Sequence, residues 1–153
     1  MGIKLSKLIA TVGGIGYLPL APGTWAAGAS AIFWFIICQN FQGSYIWQLL
    51  VIPIIISLGV YSSGKIITEK EKDPKHVVID EVAGMSITLL LISPSDPNII
   101  AGFILFRFFD IAKPLGIKKI ENLRRGWGIM FDDVLAGVYS NIALRLLILM
   151  KIW

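Results

Sequence analysis

Apolar residues fall into five long runs, which are separated by segments rich in glycine, proline or charged residues. Their lengths favour helices over strands, so we expect an all-α chain with helices at residues 24–38, 45–62, 79–92, 98–112 and 132–149. Residues 45–62 are the clearest candidate for a membrane span, because a helix rises about 1.5 Å per residue and a bilayer core is about 30 Å thick. The two helices beside the turn at 93–97 are short for full spans.

Three kinds of segment separate these runs. Residues 13–24 are dense in glycine and proline, residues 39–44 and 93–97 form short turns without basic residues, and residues 65–76 and 115–131 form charged connectors. The first of these cannot be a regular helix. Lys4 and Lys7 precede a mildly apolar stretch, as in a signal peptide, but glycine and proline interrupt that stretch. We therefore do not interpret it as a signal peptide.

The composition is that of an integral membrane protein. Hydrophobic residues make up 56% of the chain and charged residues 16%, whereas soluble domains average about 45–50% and about 25%. The mean hydropathy is +0.74. A soluble all-helical bundle with a large core is the alternative. The 153 residues are expected to form one domain, residues 1–153, and the single cysteine, Cys38, excludes an internal disulfide.

The positive charges lie on one side of the predicted multi-pass bundle. Twelve of the 14 Lys and Arg residues fall in residues 1–24, 63–79 and 107–131, whereas the turns at 39–44 and 93–97 contain none. Because basic residues mark the cytoplasmic side of a membrane protein, we predict a cytoplasmic N-terminus, five passes and an external C-terminus. We expect membrane lipid rather than nucleic acid as the partner, and the sequence leaves the oligomeric state open.

Five carboxylates lie at the predicted cytoplasmic ends of three helices: Asp80, Glu81, Asp110, Asp132 and Asp133. Acidic residues beside lipid are costly and tend to mark function. Gly84 and Gly137 each follow an acidic pair by about one helical turn, and small residues there let two helices approach closely. We therefore expect the two acidic pairs to meet. The alternative is that Asp80 and Asp132 are helix caps, with the neighbouring acids favoured by the helix dipole.

These side chains suggest a metal site. Oxygen ligands at a water–lipid boundary suit a hard cation, so we predict Mg²⁺ as the cofactor, and zinc is disfavoured because the chain has no cysteine pair. The predicted metal ligands are Asp80, Glu81, Asp132 and Asp133, and Asp110 is either a further ligand or the base that positions water. Arg107 and Lys113 share a helix face with Asp110, which indicates either a local ion pair or a phosphate clamp.

The glycine-rich loop at residues 13–24 is either a turn-rich lead-in or a cradle whose backbone N–H groups bind an anion at the start of the next helix. It lacks the Gly-Lys-Ser/Thr of a nucleotide P-loop. His76, the only histidine, is interpreted as a solvated connector residue. Carboxylates, a metal ion and basic groups at the headgroup level suit hydrolysis of a lipid phosphomonoester, a reaction that is extremely slow without catalysis.

Four motifs occur in order along the chain: GIGYLPLAPGT (14–24), Asp73-Pro74 followed by VIDEVAG (78–84), FRFFDIAKP (106–114) and GWGIMFDDVLAG (126–137). On these motifs, residues 13–140 resemble the phosphatidylglycerophosphatase A family. The resemblance implies an all-helical, magnesium-dependent enzyme of the bacterial inner membrane with its active site on the cytoplasmic side. Such an enzyme removes the terminal phosphate of phosphatidylglycerophosphate and yields phosphatidylglycerol and inorganic phosphate.

The resemblance also implies roles for individual residues. The acidic and basic centre would comprise Asp80, Glu81, Asp110, Lys113, Asp132 and Asp133, with Gly23 and Thr24 in the phosphate loop. We further predict that Arg107, Lys113 and Arg125 contact the lipid headgroup. Two alternatives remain, namely an ion or proton transporter that uses membrane-embedded carboxylates, and a structural membrane protein whose acids only cap helices. A transporter would need its acids near the middle of the bilayer.

Overall fold

The computed structural model describes residues 2–41, 44–67, 74–114, 117 and 126–152, and every regular element in this part of the chain is helical. It has six α-helices, α1 (Ile3–Ala10), α2 (Pro22–Asn40), α3 (Ser44–Ile66), α4 (Ile79–Thr88), α5 (Asp96–Ala112) and α6 (Gly126–Leu149), and a 3-10 helix at Ile15–Tyr17. The all-α prediction is confirmed. The five predicted helices correspond to α2–α6, whereas the short α1 was not predicted.

Helix α2 begins at Pro22, two residues before the predicted start at Thr24. Proline suits the first position of a helix because its fixed φ is already helical and its missing N–H would have no partner there. The two preceding residues, Leu20 and Ala21, have φ of 59° and 58°, which is left-handed backbone. The chain therefore turns sharply out of the glycine-rich loop and enters α2 directly.

Helix α3 is the only helix in the described ranges that is long and apolar enough to cross a membrane. The candidate span, Tyr45–Ile66, has a mean hydropathy of 1.8, and 22% of it is buried inside the protein. Its exposed side chains include Ile46, Leu50 and Ile54. By length and apolarity, the described helices thus supply one candidate span, and the five-pass arrangement is not confirmed.

Helix α4 ends at Thr88 rather than at the predicted residue 92. Side chains from other helices bind the carbonyl groups at this end. Asn141 Nδ2 donates to the carbonyls of Thr88 (2.9 Å) and Leu90 (3.0 Å), and Gln48 Nε2 donates to that of Leu89 (3.2 Å). Because these carbonyls have partners outside the helix, α4 can stop without leaving unsatisfied buried polar groups.

Helix α6 begins at Gly126, well before the predicted start at Asp132. A Cβ at Gly126 would overlap the carbonyl oxygen of Val60 in α3, so the absent side chain lets the start of α6 pack directly on that helix. The predicted boundary was wrong because the residues 126–131 were assigned to a charged connector. Asp132 and Asp133 consequently lie nearly two turns inside α6 rather than at its start.

Helix α4 occupies the centre of the bundle and packs against α2, α3, α5 and α6. The backbones of α4 and α6 approach each other closely at two glycines. A Cβ on Gly137 would overlap the carbonyl oxygen of Gly84. A Cβ on Gly84 would lie 2.6 Å from the carbonyl oxygen of Asp133. The predicted close approach is thus present, and it brings the acidic first turn of α4 against the acidic turn of α6.

Candidate active site

The five predicted carboxylates, on α4, α5 and α6, line one cavity of about 350 Å³. The start of α2 and the segment before α4 complete its wall. The cavity is lined by Ala21, Pro22, Gly23, Lys75, Val77, Asp80, Glu81, Arg107, Asp110, Lys113, Ile129, Asp132 and Asp133. The structure therefore brings together all five predicted carboxylates, together with Gly23, Arg107 and Lys113. Thr24 is not part of this wall, and Arg125 lies outside the described residues.

Three of the carboxylates form a compact group, here called the carboxylate trio: Asp80, Glu81 and Asp133. One oxygen from each lies within 4.8 Å of the others. Asp80 and Asp133 are buried, and Glu81 is half-buried. Three acids this close repel one another and lose hydration on burial, so a bound cation or shared protons would stabilise the arrangement.

The trio fits a hard cation. Asp80 Oδ1 and Glu81 Oε2 are buried and have no hydrogen-bond partner in the described residues. Buried polar atoms normally have partners, and those without one call for an explanation such as an ion. Oxygen donors from carboxylates are the ligands that Mg²⁺ takes in proteins. We therefore assign Asp80, Glu81 and Asp133 as the residues that would hold the predicted metal ion.

Capping does not explain these acids. The N-cap of α4 is Val78, and it makes no side-chain capping hydrogen bond. Asp80 and Glu81 stand inside the first turn, where the helix dipole favours them. Asp132 is far from the start of α6, and its Oδ1 instead accepts a hydrogen bond from the Asp133 N–H (3.0 Å). The cap interpretation is wrong for Asp132 and unsupported for Asp80.

Asp132 lies outside the trio and pairs with Lys113. Lys113 Nζ lies 2.6 Å from Asp132 Oδ2, and both side chains are largely buried. Lys113 ends α5 with φ of 43°, which is left-handed backbone and directs the chain away from the helix. The pair joins the end of α5 to α6 across the cavity wall. The role of Asp132 as a metal ligand stays a prediction, and the geometry gives it a second task in holding Lys113.

Arg107 carries the second set of unpartnered polar atoms in the cavity. Its Nη1 lies 2.5 Å from Asp110 Oδ2, as expected for the predicted i, i+3 ion pair. The geometry is not that of a hydrogen bond, and both Nε and Nη1 are buried with no hydrogen-bond partner in the described part of the chain. Guanidinium donors of this kind match the oxygens of a phosphate. Arg107 is thus both an ion-pair partner and a candidate anion ligand.

The start of α2 closes one side of the trio. Gly23 is buried, and a Cβ there would overlap Glu81 Oε1, so a larger residue would require the Glu81 side chain to move. The first N–H groups of a helix carry partial positive charge and favour anions. The Thr24 N–H, however, donates to the Ala21 carbonyl (2.9 Å). The predicted phosphate contact of Thr24 therefore receives no support from its backbone, whereas Gly23 lies at the cavity.

Among the charged residues that line the cavity, Lys75 is the one that the sequence analysis missed. It is exposed, and it belongs to the connector that enters α4. The available signal was its position between Asp73-Pro74 and the acidic motif at 78–84. The next residue, His76, stacks on Tyr17 with ring centroids 5.5 Å apart, and the Gly16 backbone packs against its carbonyl oxygen. His76 is therefore a partly buried packing residue rather than a solvated one.

The chain is similar to a known family of bacterial proteins. A sequence model described as Phosphatidylglycerophosphatase A matches residues 8–148. The chain is 37% identical over 148 residues to Phosphatidylglycerophosphatase A of Escherichia coli, covering 90% of this chain and 82% of the relative. It is 40% identical over 138 residues to the protein of that name in Haemophilus influenzae, covering 88% and 83%.

A further relative carries a different name. The chain is 40% identical over 143 residues to a Bacteroides thetaiotaomicron protein named "Putative phosphatidylinositol-3-phosphatase", covering 90% of both chains. Among solved structures, none matches the chain significantly.

Proposed function

The chain belongs to the phosphatidylglycerophosphatase A family, and on this basis we propose that it hydrolyses the terminal phosphomonoester of phosphatidylglycerophosphate. The products are phosphatidylglycerol and inorganic phosphate. The observation that carries this proposal is the pairing of two unpartnered groups in one cavity. Asp80 and Glu81 offer buried acceptors that suit a cation, and Arg107 offers buried donors that suit an anion. A phosphomonoester bound with a divalent cation satisfies both.

The proposed cofactor is Mg²⁺, held by the carboxylate trio. When bound there, Mg²⁺ would offset the negative charge of the carboxylates and stabilise charge on the phosphoryl oxygens. Arg107 binds the phosphate through its Nε donor while Nη1 stays paired with Asp110, and the start of α2 at Gly23 adds partial positive charge. These contacts hold the phosphorus in place for attack by water.

Asp110 is the proposed water-positioning base. It lines the cavity, pairs with Arg107 and lies within hydrogen-bonding reach of Asp133. In hydrolysis the water oxygen forms a bond to phosphorus, the bond to the glycerol oxygen breaks, and the proton lost by water must be accepted nearby. Asp110 can accept that proton and pass it to the departing glycerol oxygen, while Arg107 stays bound to the phosphate.

The remaining cations suit the second phosphate of the substrate. Lys113 is held on the wall by Asp132, and Lys75 is exposed at the cavity. Phosphatidylglycerophosphate carries an internal phosphodiester besides its terminal phosphate, so these lysines would contact the part of the headgroup nearer the membrane. Phosphatidic acid lacks the glycerol that separates two phosphates, and we expect it to be a poorer substrate.

We also propose that the protein is embedded in the bacterial inner membrane, with the cavity on the cytoplasmic side and five passes. Support comes from the one candidate span in α3, from the clustering of basic residues on one side, and from outward apolar side chains on other helices, such as Ile36, Ile104 and Leu146. Helix α4, with 10 residues, is only about 15 Å long, so the residues between it and the turn at 93–97 would have to complete its pass.

The proposal is tested by measuring phosphate release from purified protein in mixed micelles. The substrates are phosphatidylglycerophosphate, phosphatidic acid and phosphatidylinositol 3-phosphate, each with Mg²⁺ and with excess EDTA. We expect the first to be hydrolysed fastest and EDTA to abolish the reaction. The phosphoinositide is included because of the name of the Bacteroides relative. Faster hydrolysis of either other lipid would overturn the substrate assignment, and full activity in EDTA would overturn the metal assignment.

A further inference from the structure

Residues 17–21, here called the lip, expose large apolar side chains beside the acidic cavity. Tyr17 is 63% exposed, Leu18 45% and Leu20 90%, whereas Ala21 lines the cavity itself. A single exposed apolar side chain is ordinary on a protein surface. Three of them within four residues, next to a strongly charged site, form a patch that calls for a partner.

The lip is held in this exposed conformation by its neighbours. Trp25 Nε1 donates to the Pro19 carbonyl (3.2 Å), and the ring of Tyr17 stacks on His76. Leu20 has left-handed backbone, with φ of 59°, which costs about 1 kcal/mol or more for a residue with a branched side chain. The fold thus maintains a strained loop that displays Leu20, instead of turning that side chain into the bundle.

The backbone of the lip suits the boundary between lipid and water. Pro19 has no N–H group, and the N–H of Leu18 donates to the Ile15 carbonyl (2.9 Å). The Pro19 carbonyl is bound by the indole of Trp25, which is 56% exposed. The Leu18 N–H and the Pro19 carbonyl therefore keep their protein partners on entering the interfacial layer, where water remains available to the other backbone groups. Tryptophan is itself the residue type enriched at this boundary.

We propose that the lip inserts Leu18 and Leu20 into the interfacial layer of a phospholipid leaflet and so seats the cavity against the membrane surface. This inference rests on the proposed function, because the lipid substrate must bring its phosphate into the cavity while its acyl chains stay in the bilayer. Lys75, on the cavity wall, adds positive charge that complements an anionic leaflet. The lip thereby joins the site to the lipid that it hydrolyses.

The first experiment measures the depth of the lip by fluorescence quenching. Single-cysteine variants in a Cys38→Ala background carry a bimane probe at Leu20→Cys, at Ile54→Cys on the outer face of α3, or at Lys75→Cys. The proteins are reconstituted into phosphatidylethanolamine and phosphatidylglycerol vesicles that contain lipids brominated near the carbonyl end or near the middle of the chain. We expect shallow bromines to quench the Leu20→Cys probe, deeper bromines to quench the Ile54→Cys probe, and neither to quench the Lys75→Cys probe strongly.

Two results of this experiment would overturn the proposal. If the Leu20→Cys probe is quenched no more than the Lys75→Cys probe, the lip lies in water or is covered by protein. Efficient intermolecular disulfide formation by Leu20→Cys would instead identify a second copy of the chain as the partner of the lip.

The second experiment compares two forms of the substrate in the Leu20→Asp variant. With long-chain phosphatidylglycerophosphate in vesicles, we expect kcat/KM to fall about tenfold, a factor in the range for one leucine withdrawn from an apolar environment. With dihexanoyl phosphatidylglycerophosphate, dissolved as monomers, we expect a change below about twofold. The matched control is Ile152→Asp, which alters a residue that is 53% exposed beyond the far end of α6 and should affect neither substrate.

The outcomes distinguish a role of the lip in membrane contact from a role in the enzyme activity itself. An equal loss on both substrates would mean that the lip shapes the cavity, and no loss on either would mean that it does not contact lipid; both results overturn the proposal. If the wild-type protein hydrolyses neither form, the proposed function fails, while the quenching experiment still decides whether the lip enters the membrane.

Discussion

Neutralising one member of the carboxylate trio should stabilise the metal-free protein. In Asp80→Asn, one of three carboxylates whose oxygens lie within 4.8 Å of one another loses its charge. At this separation two unit charges repel by roughly 3.5 kcal/mol with an effective dielectric constant of about 20. Solvent screening and local relaxation reduce this value, so we expect the free energy of unfolding to rise by about 1–2 kcal/mol. The gain should appear only where no divalent cation is present.

The assay is thermal unfolding followed by tryptophan fluorescence in detergent, in EDTA and in Mg²⁺. For a chain of this size about 1 kcal/mol corresponds to about 2–4 °C in Tm, so Asp80→Asn should melt about 2–8 °C above wild type in EDTA. Mg²⁺ should raise the Tm of wild type and have little effect on the variant. Asp96→Asn, which alters an exposed first-turn acid of α5, should show no gain.

A lower Tm of Asp80→Asn in EDTA, together with an undiminished response to Mg²⁺, would refute this reasoning. It would mean that the trio is already stabilised by contacts within the protein and does not bind the cation.

Three further predictions concern the cavity, the helix crossing and the topology. In steady-state kinetics, Lys75→Met should raise KM for phosphatidylglycerophosphate about tenfold and leave kcat within about threefold. The reason is that the lysine is proposed to bind the headgroup and not the reacting phosphate. Gly137→Ala should lower the free energy of unfolding by about 1–3 kcal/mol in denaturant titrations, because its Cβ would overlap the Gly84 backbone. The control is Gly28→Ala, whose Cβ would lie 3.9 Å from the Phe103 ring, at an ordinary contact distance. The topology is tested in intact cells that express single-cysteine variants in a Cys38→Ala background. An impermeant maleimide should label Ser93→Cys but not Lys75→Cys, and the reverse pattern would contradict the cytoplasmic site.

The helical architecture could be predicted from the sequence because long apolar runs leave few alternatives to helix. The positions of helix ends depended on tertiary contacts that no local pattern reports. Helix α4 stops early because Asn141 and Gln48 bind its terminal carbonyls, and these residues come from α6 and α3. Residues 126–131 are helical although they were assigned to a charged connector, and Gly126 packs on the backbone of α3.

The sequence predicted which residues form the site better than it predicted which of them contact one another. The spacing between the acidic pairs and Gly84 and Gly137 correctly indicated that α4 and α6 meet. The i, i+3 spacing indicated the Arg107–Asp110 ion pair. The separation of Asp132 from the trio was not visible, since it depends on the left-handed turn at Lys113, which brings its Nζ to Asp132. Lys75 was missed because it was assigned to the charged connector, although it stands between Asp73-Pro74 and the acidic motif at 78–84.

The central claim is that one cavity binds a divalent cation through the trio and a phosphate through Arg107. The most direct test is a titration of purified protein with Mn²⁺, used as a spectroscopic substitute for Mg²⁺ and monitored by electron paramagnetic resonance, with and without inorganic phosphate. We predict that phosphate tightens Mn²⁺ binding in wild type, that Asp133→Asn abolishes the binding, and that Arg107→Met retains the binding but loses the effect of phosphate. Mn²⁺ binding that is unchanged in Asp133→Asn, or a phosphate effect that persists in Arg107→Met, would contradict the claim.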